Sequence, residues 1–216
     1  MGVGYDEFGD AAVDAAFDTI QEISDDNIRS YLGSNGDAIV ARIENCVRQA
    51  KELRNTGYFQ SSHVLAVTAL EILIRFMLIR PLLQGGQGAF LSDEWADFIT
   101  QKIATGRSAD DRKLLPQILA LQAIDIHALR LPSGKALWET IVTDAYPKRN
   151  RVIHYAELAT AEEAQTAIDC AEYLYTDVVL PIATKLGFTL ETTNCWSSIR
   201  RQKALNVDFT VSNPFE

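Results

Sequence analysis

The stretch that most constrains the fold is a long apolar run, Val64–Arg80, in which nearly every face of a helix would be hydrophobic. A helix that is apolar all round is either the central helix of a bundle or a membrane span. The run contains Glu71, Arg75 and Arg80, and charges at bilayer depth are costly. Glu71 and Arg75 also have the spacing that allows an ion pair on one helix face. The sequence therefore favours a buried central helix, which we expect Pro81 to end.

Helical periodicity predicts further helices on both sides of this run. Thr160 and Glu163 have the spacing of a capping box at the start of a long helix, which Gly187 ends. Convincing strand alternation is absent before residue 188, so we predict an all-α fold. The predicted helical segments are 10–32, 37–54, 92–103, 114–131, 135–145 and 160–187, and candidate short strands follow at Phe188–Thr192 and Val207–Val211.

Breaks in the helical pattern divide the chain into three parts. The sequence Gly33-Ser34-Asn35-Gly36 is the strongest break, and it separates an N-terminal helical arm from the main helical domain. Within that domain we expect a helical insertion around residues 85–145, close to the candidate site, where specificity would be set. The three parts are the arm, 1–35, the helical domain, 36–187, and an irregular C-terminal tail, 188–216.

The bulk composition limits the function. A chain of 216 residues with 47% hydrophobic residues can bury a sizeable core. The net charge of −9 argues against a broad nucleic-acid-binding surface, because such affinity rests mainly on neutralised phosphates, so any RNA contact should be local. Three widely spaced cysteines form neither a disulfide framework nor a zinc site. With no targeting segment in residues 1–10, we expect a cytoplasmic protein that crosses no membrane and needs no metal or cofactor.

One short basic run stands out in this acidic chain, Lys148-Arg149-Asn150-Arg151, and it closes on His154. Pro147 suits the first turn of a helix, so we expect Arg149 and Asn150 at a helix N-terminus, an end that attracts anions. Asn150 and His154 share one helix face, and the long side chain of Arg149 can reach the same place. A guanidinium binds phosphate, and an imidazole moves protons near neutrality. These side chains suit phosphodiester chemistry that needs no metal.

The run Arg149-Asn150-Arg151-Val152-Ile153-His154 resembles the motif of HEPN domains, in which Arg is usually followed by a polar residue and, a few residues later, by His. HEPN domains are compact α-helical bundles. Many are metal-independent endoribonucleases whose composite site forms where two domains pair, and others are non-catalytic. The resemblance implies an HEPN-like bundle with an N-terminal arm and an irregular tail, and the helical pattern from about residue 36 to 187 agrees with it.

The resemblance also implies roles for individual residues. His154 would act as general base or acid, Arg149 would stabilise charge on the phosphate, and Asn150 would orient His154 or the phosphate. Lys148 and Arg151 would contact RNA. The protein would be a homodimeric endoribonuclease, acting as a toxin or an antiviral defence effector, with RNA as substrate and an antitoxin or regulatory protein as a further partner.

Other interpretations stay open. A non-catalytic HEPN-like module that binds a protein partner suits the acidic surface, and a nucleotide-binding regulator is a weaker alternative because no adenine-reading signature is present. His154 could also be an ordinary histidine beside a basic helix. Three further features have structural explanations: His63 as a capping or packed residue, His127 as part of an amphipathic pattern, and Glu71 with Arg75 as an ion pair rather than a device that orients the site.

Overall fold

The computed structural model describes residues 6–85, 111–120, 122–188 and 196, with side chains from residue 25 onward except at 83, 84 and 111–114. Within these ranges the regular structure is helical, and pairing between extended residues is limited to one isolated bridge, Arg130 with Ala136. The predicted all-α class is therefore confirmed. The HEPN-like character of the bundle and its division into three parts stay predictions.

The described residues form five helices, three of which contain a π-helical segment. Helix α1 is Asp6–Asn55 and helix α3 is Asp111–Ala120. The others are α2 (Phe59–Ile72, π-helical Leu73–Ile79, Arg80–Gly85), α4 (Leu137–Glu139, π-helical Thr140–Ala145, Tyr146–Tyr155) and α5 (Ala161–Leu174, π-helical Tyr175–Val179, Leu180–Lys185).

Helix α2 is the centre of the bundle. It packs along α1 on one side and along α5 on another, while α4 lies against α2 and α5. Ala66, Leu70, Leu73 and Leu78 are each fully buried, as expected for a helix that is apolar all round. The segment Phe59–Leu82 is long and apolar enough to cross a membrane, but 67% of its most apolar window is buried inside the protein. The predicted central helix is confirmed.

Three of the prolines inside the described helices each lie two residues after a π-helical segment, unlike Pro116 of α3. Pro81 follows Leu73–Ile79, Pro147 follows Thr140–Ala145, and Pro181 follows Tyr175–Val179. A proline has no N–H to donate, and its ring clashes with the carbonyl four residues earlier. That carbonyl lies in the π segment in each case, where hydrogen bonds span one more residue than in an α-helix. The prediction that Pro81 ends α2 is therefore wrong.

The predicted break from Gly33 to Gly36 is also wrong, because α1 runs through it. The two glycines leave room for Trp196 of the C-terminal segment. A Cβ atom at Gly36 would lie 2.5 Å from Trp196 Cγ, and one at Gly33 would lie 3.1 Å from the Trp196 carbonyl oxygen. Trp196 is buried, and its ring centroid is 4.9 Å from that of Phe188. Glycine normally weakens a helix interior, and here it permits close packing instead.

Local end signals were predicted more accurately than helix lengths. Thr160 and Glu163 form both hydrogen bonds of a capping box, and Gly187 ends α5 with a positive φ of 82°. The segment predicted at 114–131 ends as a helix at Ala120, because Ala123 adopts a positive φ of 61° and the chain turns. The predicted helix 92–103 and the candidate strand Val207–Val211 lie outside the described residues, as does nearly all of Phe188–Thr192.

Candidate functional site

The motif lies in the second half of α4, in the segment Tyr146–Tyr155. The prediction that Arg149 and Asn150 sit at a helix N-terminus is wrong, because α4 begins at Leu137 and continues through Pro147. The four free N–H groups of a helix start are therefore far from the motif, and they do not provide an anion site there. Any phosphate must be bound by side chains.

Arg149 reaches across to the central helix. Its Nη2 lies 3.7 Å from Glu71 Oε2, and its Nη1 donates a 3.2 Å hydrogen bond to Asn150 Oδ1. Both Arg149 and Glu71 are partly exposed to solvent. Glu71 therefore pairs with the motif rather than with Arg75, which corrects the ion pair predicted within α2. The carboxylate and the amide oxygen together fix the direction of the guanidinium.

Arg149 belongs to a polar group that also contains Glu71, Arg75 and Tyr146, which we call the arginine cluster. Burial raises the pKa of the Tyr146 phenol, and the Glu71 carboxylate adds to the rise, although Arg75 and Arg149 oppose it. Tyr146 is thus a neutral phenol at neutral pH. Within the described residues, the Arg75 Nε, the Arg149 Nε and the Tyr146 hydroxyl are buried without hydrogen-bond partners. The cluster thus contains two guanidinium groups and one carboxylate, so its net charge is positive.

His154 lies in the last turn of α4 and is exposed. Among the described residues it forms no hydrogen bond or ion pair, so its ring is available to a ligand or a partner chain. Asn150 is exposed on the same face, one turn earlier. Arg149 and His154 differ in direction by about 140° around an α-helix. The motif therefore presents a guanidinium and an imidazole on different sides of α4.

Lys148 has a different environment from the one predicted for an RNA contact. The residue is 6% exposed, and its Nζ lies 2.8 Å from Glu157 Oε1 and 2.8 Å from Glu163 Oε1. The ammonium group therefore ties α4 to the following loop and to the first turn of α5. Because its charge is paired with two carboxylates and its side chain is buried, Lys148 has little surface with which to contact RNA. Arg151 stays a candidate, since it is exposed, with its Nε 2.8 Å from Glu157 Oε2.

The ion pairs around Lys148 shift its pKa and those of its two partners. Burial works to lower the Lys148 pKa, but the hydrogen bonds to Glu157 and Glu163 raise it overall. The hydrogen bond from Lys148 is the main cause of a lowered pKa at Glu157. At Glu163, burial acts to raise the pKa. The hydrogen bonds from Lys148 and from the Thr160 backbone N–H outweigh burial, so the pKa is lowered overall. All three groups are thus charged at neutral pH.

Three large apolar side chains are exposed beside the motif. Ile153 is 47% exposed, Tyr155 is 81% exposed and Leu158 is 73% exposed. The turn between Tyr155 and Leu158 depends on Ala156, which adopts the left-handed conformation with φ 52°. Such a conformation is unfavourable for a residue other than glycine. Large apolar side chains that are exposed so near one another in the chain make this end of α4 a candidate interaction site.

Sequence reasoning missed Tyr146, and it assigned Glu71 and Arg75 to each other. Their place in the site depends on the packing of α4 against α2, for which the sequence has no local signal. Within the described ranges, no group of three His, Cys, Asp or Glu side chains is placed to hold a metal ion. No family model, curated protein or solved structure significantly matches this chain. The resemblance to HEPN domains therefore rests on the motif and on the helical pattern.

Proposed function

We propose that the protein is a metal-independent, HEPN-type endoribonuclease, active in the cytoplasm as a toxin or antiviral defence effector. One observation carries the proposal: Glu71 and Asn150 direct Arg149, and neither its Nε nor the exposed His154 on the same helix has a partner among the residues that the structure describes. A guanidinium that is held in position but only partly neutralised can bind a phosphate. An exposed imidazole can transfer a proton to or from a bound substrate.

The chemistry uses a nucleophile that belongs to the substrate. The ribose 2′-OH attacks the adjacent phosphorus, the bond to the 5′ oxygen breaks, and a 2′,3′-cyclic phosphate forms. His154 takes the proton from the 2′-OH or gives one to the leaving 5′ oxygen. Arg149 stabilises the charge that develops on the phosphate, with Arg75 as a second cation nearby. Asn150 and Glu71 hold Arg149 in position, and Arg151 binds the RNA backbone.

The proposed active form is a homodimer. Because Arg149 and His154 point to different sides of α4, a complete site needs a second motif facing the first across a two-fold axis. The exposed side chains of Ile153, Tyr155 and Leu158 next to the motif provide an apolar surface for such pairing. An antitoxin or another regulatory protein would bind the same region to control the activity.

Cleavage of labelled single-stranded RNA in the presence of EDTA tests this proposal. We expect the wild type to leave 2′,3′-cyclic phosphate ends, to spare RNA that is 2′-deoxy at the cleaved position, and to be active in the fractions that sediment as a dimer. His154→Ala should lower cleavage by a factor on the order of 10². His127→Ala is the matched control, because His127 is also exposed but pairs with Glu139.

Two results would contradict the proposal. Equal cleavage by the wild type and the His154→Ala variant would place the activity in another site or another protein. Absence of cleavage by the wild type across varied RNAs would favour the second candidate, a non-catalytic helical module that binds a protein partner. That candidate is supported by the exposed apolar side chains of Ile153, Tyr155 and Leu158.

A further inference from the structure

A cavity of about 740 Å³ lies between α3, the turn that follows it and the beginning of α4. The apolar side chains that line it are Pro116, Ala120, Ala123, Ile124, Trp138 and Val142. A mostly apolar cavity of this volume is typical of small-molecule sites in proteins. Glu139, another lining residue, lies in the first turn of α4, and Arg149 follows about 15 Å further along the helix. The cavity is therefore separate from the motif.

The exposed part of the lining includes two carboxylates, Asp125 and Glu139. His127 holds them near each other, because its backbone N–H donates a 3.0 Å hydrogen bond to Asp125 Oδ1 and its Nδ1 lies 2.8 Å from Glu139 Oε1. The bond from His127 is the main cause of a lowered pKa at Glu139, so this carboxylate is charged at neutral pH. A carboxylate oxygen can accept more than one hydrogen bond, so both side chains can still bind a donor.

The cavity carries negative charge that its own lining does not balance. Among the described residues that line it, none is Lys or Arg. Arg130 lies close enough to Glu139 to act on its charge, but the Arg130 Nη1 is bonded to the backbone carbonyl oxygens of His127 and Leu129. An apolar cavity with two neighbouring carboxylates therefore favours a ligand that combines an apolar body with a cation.

We propose that this cavity binds a small organic amine, with its apolar body against Trp138 and its ammonium group at Asp125 and Glu139. An ammonium group donates three hydrogen bonds and accepts none, which complements carboxylate oxygens. Packing the apolar body against the indole and the aliphatic walls removes it from water. Both carboxylates would repel an anion, and a neutral ligand would leave their charges uncompensated. A metal ion fits less well, because in the described ranges no three His, Cys, Asp or Glu side chains are placed to hold one.

Amide NMR of the ¹⁵N-labelled full chain tests this binding with three probes of similar size: phenethylamine, 2-phenylethanol and phenylacetate. An alkylamine is protonated at neutral pH, as the lysine side chain is. Phenethylamine should shift the signals of 122–130 and 137–142 to saturation, with a dissociation constant on the order of 1 mM. The neutral alcohol should bind several times more weakly, and the anion should not bind measurably. Equal affinity for the three probes, or no saturable shift with phenethylamine, would overturn the proposal without any variant being needed.

Two charge-removing variants test where the ammonium group lies. Asp125→Asn and Glu139→Gln keep the size of the side chain, and each should weaken phenethylamine binding about threefold to tenfold while leaving the affinity for 2-phenylethanol nearly unchanged. Glu52→Gln is the matched control, since it removes an exposed carboxylate that pairs with Arg48 on α1, and it should bind phenethylamine like the wild type. Wild-type phenethylamine affinity in both cavity variants would overturn the assignment of the ammonium group to these carboxylates.

Discussion

Lys148 and Arg149 are neighbouring cations on one helix, and the structure uses them in opposite ways. Lys148 is buried, and two carboxylates at 2.8 Å complete its bonding. Arg149 is partly exposed, its one carboxylate lies 3.7 Å away, and its Nε has no partner within the described residues. A rotation of about 100° around the helix separates the two environments.

The difference between the two sides of α4 distinguishes a structural cation from a candidate functional one. Desolvating a charge is costly unless partners compensate, and those of Lys148 do so. Arg149 and His154, which lie on other sides of α4, keep polar atoms without a partner among the residues that the structure describes. Unused polar groups held in fixed directions are typical of binding and catalytic sites, which trade stability for function.

The largest effect that follows from this comparison concerns activity at Arg149. Arg149→Ala should lower RNA cleavage by a factor on the order of 10², since it removes the cation that stabilises the phosphate in the proposed reaction. The unfolding temperature of the Arg149→Ala variant should change little, because a partly exposed ion pair contributes only about 0–1 kcal/mol to stability. Cleavage kinetics measure the loss of activity, and thermal unfolding measures the change in stability. An Arg149→Ala protein with wild-type cleavage would remove Arg149 from the site.

The next effect concerns stability at Lys148. Lys148→Met should lower the free energy of unfolding by about 1–2 kcal/mol. This loss is smaller than the loss expected from breaking a fully buried ion pair, because both carboxylate partners keep contact with water. Denaturant titration measures the free energy of unfolding. Arg151→Met is the matched control, since it loses an exposed pair with the same Glu157 and should be nearly neutral. A larger loss for Arg151→Met than for Lys148→Met would reverse the comparison.

The smallest expected effect concerns the stability of the protein at acidic pH. The pKa values of Glu157 and Glu163 are lowered in the folded protein, so both carboxylates are more acidic there than in the unfolded chain. Their contribution to stability is present above the ordinary carboxyl pKa of about 4.3 and is lost as the pH falls through the folded values. The stability difference between the wild type and Lys148→Met should therefore shrink in acid. A constant difference from neutral pH to about pH 3 would contradict this assignment.

The sequence predicted features that depend on nearby residues. The capping box of Thr160 and Glu163, the stop at Gly187 and the buried face of α2 all follow from local spacing, and the structure contains them. Gly36 was misinterpreted because its partner, Trp196, is distant in the chain. A glycine that breaks a helix and one that admits an indole look the same in a sequence.

The candidate site was predictable in its residue types but not in its arrangement. The motif identified Arg149, Asn150 and His154 as candidates, yet neither the burial of Lys148 nor the approach of Glu71 to Arg149 had a local signal. Which of two adjacent cations turns inward depends on which helices lie on each side of α4. That choice is made by the packing of α2 and α5, through contacts between residues far apart in sequence.

The π segment Thr140–Ala145 determines the direction around the helix axis in which the later residues of α4 point. Removing one residue there would restore ordinary α-helical bonding and turn the motif by about 100° relative to Trp138, with a shift of about 1.5 Å along the axis. Arg149 would leave Glu71, and Lys148 would leave its carboxylates, although every letter of the motif stayed in place. The number of residues between Trp138 and Arg149 is therefore as much a part of this site as the residues themselves.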